Sequence, residues 1–194
     1  REYARKEKAG EHQEFNLELS ALARVFDGMP VQMVAMKYND METAVRIGEE
    51  FGLNYVLFEA YDAPIVIKDL ARKDLRFVIG PLYGTAFSVE EKGRELDLGA
   101  VLEKEGVHAA ISTGHPQLNL EILQTQLILM TDRGLSRKEA IKGVTAYPAQ
   151  YLGLSSVGTL EPGKDADLVI WDGDILQYDG GVKSVFINGK CVLS

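Results

Sequence analysis

Four short and almost continuously apolar segments, each followed by a segment with helical apolar spacing, constrain the fold of this chain more strongly than any other feature. The apolar segments span residues 31–36, 55–58, 76–79 and 107–111. They lack the alternation of apolar and polar residues that marks a strand with one solvent-exposed face, as expected for parallel strands that are buried on both faces. Strands that alternate with helices in this way predict an α/β fold with a parallel sheet. Because eight such units close a barrel, four units predict half of a (β/α)8 TIM barrel.

Two helix starts carry capping signals. Asn39 and Asp40 precede the helical segment 41–51, and both residue types are favoured as N-caps. Ser136 begins another helical segment and is followed three residues later by Glu139, which is the pattern of a capping box. We therefore predict that the backbone N–H groups at these helix starts bond to these nearby side chains.

The C-terminal segment has a different pattern from the rest of the chain. A turn-rich stretch leads to a short apolar strand at 168–171, and a second apolar strand follows at 182–187. Asn188 and Gly189 then join the second strand to a third, and both residues tolerate the positive φ that a tight hairpin turn requires. We predict that residues 154–194 form a small antiparallel unit.

Composition and charge exclude several classes of function. The chain has 194 residues, a net charge of −8 and no cluster of Lys and Arg, so we expect no nucleic-acid partner. Cys191 is the only cysteine, so no disulfide can form within the chain, and we expect a cytoplasmic location. No apolar run is long enough to span a bilayer, so we expect no membrane association. The chain begins at Arg1 inside a helix-like segment, and we expect it to be a fragment of a longer protein.

The strand segments and the C-terminal segment together resemble the metal-dependent amidohydrolase superfamily, in its imidazolonepropionase-related branch. The matching stretches are residues 30–52, 55–60, 77–82 and 107–116, which are similar to barrel strands five to eight, and 157–171 in the tail. The resemblance implies that residues 1–153 are the C-terminal half of the barrel. It also implies that residues 154–194 are strands of the small composite β-sandwich domain of such enzymes.

In that family, zinc or another divalent metal at the strand ends activates a water molecule that hydrolyses a non-peptide C–N bond, such as that of a cyclic amide. The resemblance places the fifth-strand histidines on Val34 and Met36, the sixth-strand histidine on Ala60 and the eighth-strand aspartate on Gly114. Of these, only Met36 offers a donor atom, a thioether that suits copper(I) and not zinc. We therefore expect no intact catalytic residues, no metal and no other cofactor in this chain, and we predict that it is inactive.

Two further functions remain open beside that of an inactive amidohydrolase. One is a non-catalytic module that binds a small anionic or zwitterionic molecule, with Lys37, Glu59, Tyr83 and His115 as candidate binding residues. In this interpretation Glu59 either binds a substrate amine or forms an ion pair with Lys37, and we expect the ion pair. The other function is that of a scaffold partner for an active subunit. A lone histidine such as His115 also fits the plainer role of a hydrogen-bonding loop residue.

The predicted half-barrel has an unfavourable surface. It leaves two open edges of a parallel sheet and an apolar face without cover. We therefore expect either a homodimer or association with a missing N-terminal half.

Overall fold

Four parallel strands form the first of two sheets in this protein. The computed structural model describes residues 1–86 and 88–194. The strands are β1 (Val31–Val34), β2 (Tyr55–Phe58), β3 (Phe77–Ile79) and β4 (Ala109–Ile111), and they lie in the order β1-β2-β3-β4. Each falls within a predicted strand, and every pair is parallel. The predicted α/β class and the half-barrel are therefore confirmed.

Helices follow the strands along the chain. The described helices are α1 (Glu2–Ala9), α2 (Leu17–Ala23) with a 3-10 turn at Arg24–Asp27, α3 (Tyr38–Phe51), α4 (Ala63–Asp69), α5 (Leu98–Lys104), α6 (Ile122–Asp132), α7 (Arg137–Gly143) and α8 (Ala146–Tyr151). In the described part of the chain, none of them is long and apolar enough to cross a membrane.

The core lies between the sheet and these helices. Phe77 and Ile79 of β3 and Leu57 of β2 are fully buried, and Met130 of α6 packs in the same cluster. Burial of each such side chain contributes about 1.5–3 kcal/mol to folding. Side chains of the central strands thus pack in one cluster with side chains of the helices.

Strand β1 does not show the predicted burial on both faces. Its residues are alternately half-buried and exposed, and Val34 at its end is 63% exposed. Met33 packs against the core on one face of β1, whereas Gln32 and Val34 on the other face are exposed. The other edge strand, β4, is mostly buried, so the edge position alone does not decide the exposure. Strand burial was inferred from apolar composition, which does not show whether each face of a strand is covered.

The predicted cap of α3 is wrong. The helix begins at Tyr38, so Asn39 and Asp40 lie in its first turn and Lys37 occupies the N-cap without a side-chain bond. The backbone N–H of Tyr38 instead donates to Oδ2 of Asp62 at 3.1 Å. The capping carboxylate therefore comes from the following βα unit, 24 residues away.

The predicted capping box of α7 is half correct. Oγ of Ser136 accepts from the backbone N–H of Glu139 at 3.2 Å, as expected for an N-cap. The carboxylate of Glu139 does not return to Ser136. Oε2 of Glu103 accepts from the backbone N–H of Ser136 at 2.9 Å in its place.

The C-terminal segment forms the second sheet. Strands β5 (Leu168–Asp172), β6 (Gly181–Ile187) and β7 (Lys190–Leu193) pair antiparallel in that order. Asn188 and Gly189 have φ values of 50° and 72°, which confirms the predicted hairpin turn. The predicted domain boundary between residues 153 and 154 lies between α8 and β5 and stays a prediction.

Candidate ligand pocket at the strand ends

A cleft of about 350 Å³ opens where β2 and β4 end. It is lined by Phe58, Glu59, Ile111, Ser112, Thr113, Gly114, His115, Leu120 and Leu123. Its volume falls in the range of about 300–1,000 Å³ that is typical of small-molecule sites. Because the strands are parallel and in register, their carboxyl ends bring segments from different βα units to one place.

The cleft contains two of the four predicted binding residues. Glu59 and His115 line it, whereas Lys37 and Tyr83 do not. Nζ of Lys37 lies 3.2 Å from Oδ1 of Asp62 and donates to the carbonyl of Lys92 at 2.6 Å. The predicted ion pair of Lys37 with Glu59 is therefore wrong, because the Lys37 ammonium group pairs with Asp62 instead. Asp62 also accepts the N-terminal hydrogen bond of α3.

Tyr83 lies in the loop that follows β3. Its side chain is exposed, and its backbone carbonyl accepts from Nη2 of Arg94 at 2.8 Å. Tyr83 thus contributes a backbone atom to the structure of the loop and no side-chain contact to the cleft.

Glu59 combines an unusual backbone conformation with a carboxylate to which no described residue bonds. Its φ is 57°, a left-handed conformation that is uncommon for a residue with a Cβ. Among the described residues, none forms a hydrogen bond or an ion pair with its side chain. Burial raises the pKa of the Glu59 carboxyl, the Glu91 carboxylate raises it further and the Arg94 guanidinium lowers it.

Arg94 holds the loop after β3 against the sheet. Its Nε donates to the carbonyl of Pro81 at 2.8 Å, and its Nη1 donates to the carbonyl of Thr85 at 3.2 Å. It also forms an ion pair with Glu91, and the two side chains are only 5% and 9% exposed. No sequence pattern indicates this role, because a single Arg in a polar loop does not reveal which carbonyls it will bond.

The positions to which the resemblance assigns metal ligands contain no suitable donors. Val34 is apolar and mostly exposed, Met36 packs against the core, and Ala60 is fully buried. Gly114 has a φ of 63°, and a Cβ added there would lie 2.6 Å from Cδ of Pro81. In residues 1–86 and 88–194, no three His, Cys, Asp or Glu side chains are grouped so that they could hold a metal ion. These residues do not fit a divalent metal, which prefers carboxylate and imidazole donors.

The other two histidines lie away from the cleft. His108 precedes β4, so it sits at the opposite end of that strand, where its Nδ1 lies 2.7 Å from Oε2 of Glu139 and its ring stacks on Tyr147. These contacts give His108 a structural role. His12 is exposed in the segment between α1 and α2.

Comparisons with known proteins agree with the fold. Residues 2–192 match the profile of the amidohydrolase family. An imidazolonepropionase of Rhizorhabdus wittichii is 35% identical over 161 residues, which are 77% of this chain and 38% of that protein. An imidazolonepropionase of Mesorhizobium japonicum is 32% identical over 161 residues, or 78% of this chain and 38% of that protein.

Among solved structures, the crystal structure of an amidohydrolase from Thermotoga maritima matches with a TM-score of 0.88 and 35% identity. The match covers 96% of this chain and 50% of that one. The chain thus spans half or less of the length of these relatives.

Proposed function

We propose that this chain, which belongs to the amidohydrolase family, is the C-terminal half of a protein related to hydrolases of cyclic amide C–N bonds. We also propose that this half has lost the metal site. Two relatives carry the name imidazolonepropionase, which supports a cyclic substrate for the parent protein. The observation that carries the proposed loss is Gly114. Its positive φ and its closeness to Pro81 leave no room for the aspartate side chain that the family places there.

The proposed inactivity follows from the chemistry of the missing groups. A metal-bound water loses its proton near neutral pH, whereas free water does so only far above it. The eighth-strand aspartate would act both as a ligand and as a general base. A chain with Gly114 at this position supplies neither function. We also propose that the chain is cytoplasmic, since its one cysteine, Cys191, is a free thiol.

A hydrolysis assay tests this proposal. The purified chain is incubated with a cyclic imidazolone amide, with and without added zinc, and ring opening is followed by ultraviolet absorbance. We expect the rate to equal that of buffer containing the same zinc. Zinc-dependent turnover by this chain would contradict the proposed inactivity.

The cleft supports a second function, which is binding of a small molecule without turnover. Glu59 and His115 offer polar groups to a ligand there, and the other lining residues include both hydroxyl-bearing and apolar side chains. A scaffold role for an active homologous subunit is a third proposal, supported by the open edge at β1. Co-purification with a histidine-rich homologue would favour the scaffold role.

We propose that the isolated chain forms a homodimer, or pairs with an N-terminal half where one is present. The open edge strand β1 and the exposed Val34 at its end are unfavourable in water. Size-exclusion chromatography with light scattering is expected to give twice the mass of one chain. A monomer that stays well behaved across concentrations would contradict this prediction.

A further inference from the structure

The ligand class of the cleft follows from its charges. Among the described residues that line it, Glu59 is the one Asp, Glu, Lys or Arg side chain. The sequence had favoured an anionic or zwitterionic ligand with Lys37 among its binding residues. Lys37 does not line the cleft, and its ammonium group contacts Asp62 and the carbonyl of Lys92. Lys37 is therefore not available to bind an anionic group of a ligand in the cleft.

The second nearby cation is also engaged. Arg94 is surrounded by Glu91 and by the carbonyls of Pro81, Tyr83 and Thr85. Its guanidinium therefore has little capacity left for an anion in the cleft. The local charge that a ligand would meet is the carboxylate of Glu59.

The Glu59 carboxylate is half-buried, and no described residue bonds to it. Its oxygens still reach solvent, because no buried side-chain oxygen among the described residues lacks a hydrogen-bond partner. Its backbone has a φ of 57°, a strained conformation that places the side chain at the cleft. A cationic group bound at Glu59 would replace water at this carboxylate with an opposite charge.

The remaining walls define the rest of the ligand. Phe58, Leu120 and Leu123 offer apolar surface beside the carboxylate. Ser112 and Thr113, which directly follow β4, add two hydroxyl-bearing residues to the lining. We propose that the cleft binds a small molecule that has a cationic amine or amidine group on a compact apolar body, with Glu59 as the counter-charge. This inference rests on the second proposed function, binding without turnover.

Three probes of similar shape and different charge test the inference. Benzylamine, benzyl alcohol and benzoate are titrated separately into the purified full chain, and binding is followed by ligand-observed NMR at neutral pH. We expect benzylamine to bind about tenfold more tightly than the other two, as one charge-assisted hydrogen bond would give. In Glu59→Gln this preference should disappear, because the amide keeps the shape and the backbone cost but removes the charge.

Glu14→Gln is the matched control. Glu14 is exposed in the segment before α2, so this variant changes the net charge equally without altering the cleft. It should keep the preference for benzylamine. Equal binding of all three probes by the natural chain, or an unchanged preference in Glu59→Gln, would overturn the cation site while leaving ligand binding intact. Failure of every probe to bind would overturn the binding function together with the inference.

Discussion

Replacing Gly114 by Asp, the residue that the family resemblance places there, is expected to lower the free energy of unfolding by about 3 kcal/mol and not to restore a metal ligand. A left-handed backbone disfavours any residue with a Cβ. In addition, the new Cβ would lie 2.6 Å from Cδ of Pro81, so the loop after β3 would have to move. Urea unfolding followed by circular dichroism measures the difference.

Gly106→Asp is the control for this substitution. Gly106 also has a positive φ, 75°, but no atom lies within 4 Å of its added Cβ. Its replacement should therefore cost only the backbone term, about 1 kcal/mol. If both variants lose the same stability, the contact with Pro81 does not exclude a side chain from position 114.

Replacing Arg94 by Met is expected to lower the free energy of unfolding by about 3–5 kcal/mol, the usual loss when one partner of a buried ion pair is removed. Methionine retains an apolar stem, but it removes the guanidinium from Glu91 and removes the hydrogen bonds that Arg94 donates to the carbonyls of Pro81 and Thr85. Urea unfolding gives the cost, and amide hydrogen exchange should show faster opening of residues 81–86.

Arg5→Met provides the comparison for Arg94. Arg5, like Arg94, forms an ion pair, in its case with the carboxylates of Glu2 and Glu11. All three of these side chains are largely exposed. Exposed pairs of this kind add little to stability because solvent screens them. A loss as large in Arg5→Met as in Arg94→Met would show that burial is not what makes the Arg94 network important.

The sequence predicted those features that depend on local patterns. Continuous apolar segments located the four parallel strands, and Asn188 with Gly189 located the hairpin turn. Ser136 was recognised as an N-cap because its partner lies three residues away. For the cap and the hairpin turn, the deciding interaction lies within a few residues of the pattern. The strands pair over longer separations, but their positions still follow from their local apolar composition.

The features that the sequence did not predict depend on contacts between distant segments. Asp62 caps α3, so the predicted cap by Asn39 and Asp40 is wrong. Asp62 also pairs with Lys37, which is 25 residues away in sequence, so the predicted pair of Lys37 with Glu59 is wrong. The network of Arg94 likewise depends on how the loop after β3 folds back. For the cleft, the sequence located Glu59 and His115 after strands, and both residues line the cleft because parallel strands bring their carboxyl ends to one edge of the sheet.

The central claim is that this chain keeps the barrel half but not the ability to hold a metal. A measurement of bound zinc tests this claim most directly. The purified chain is saturated with zinc, dialysed and analysed by atomic emission, with Glu59→Ala/His115→Ala as the comparison. We expect both samples to hold the same trace amount, far below one ion per chain, because the described residues provide no ligand set. About one zinc per chain in the natural protein that is absent from the double variant would contradict the account.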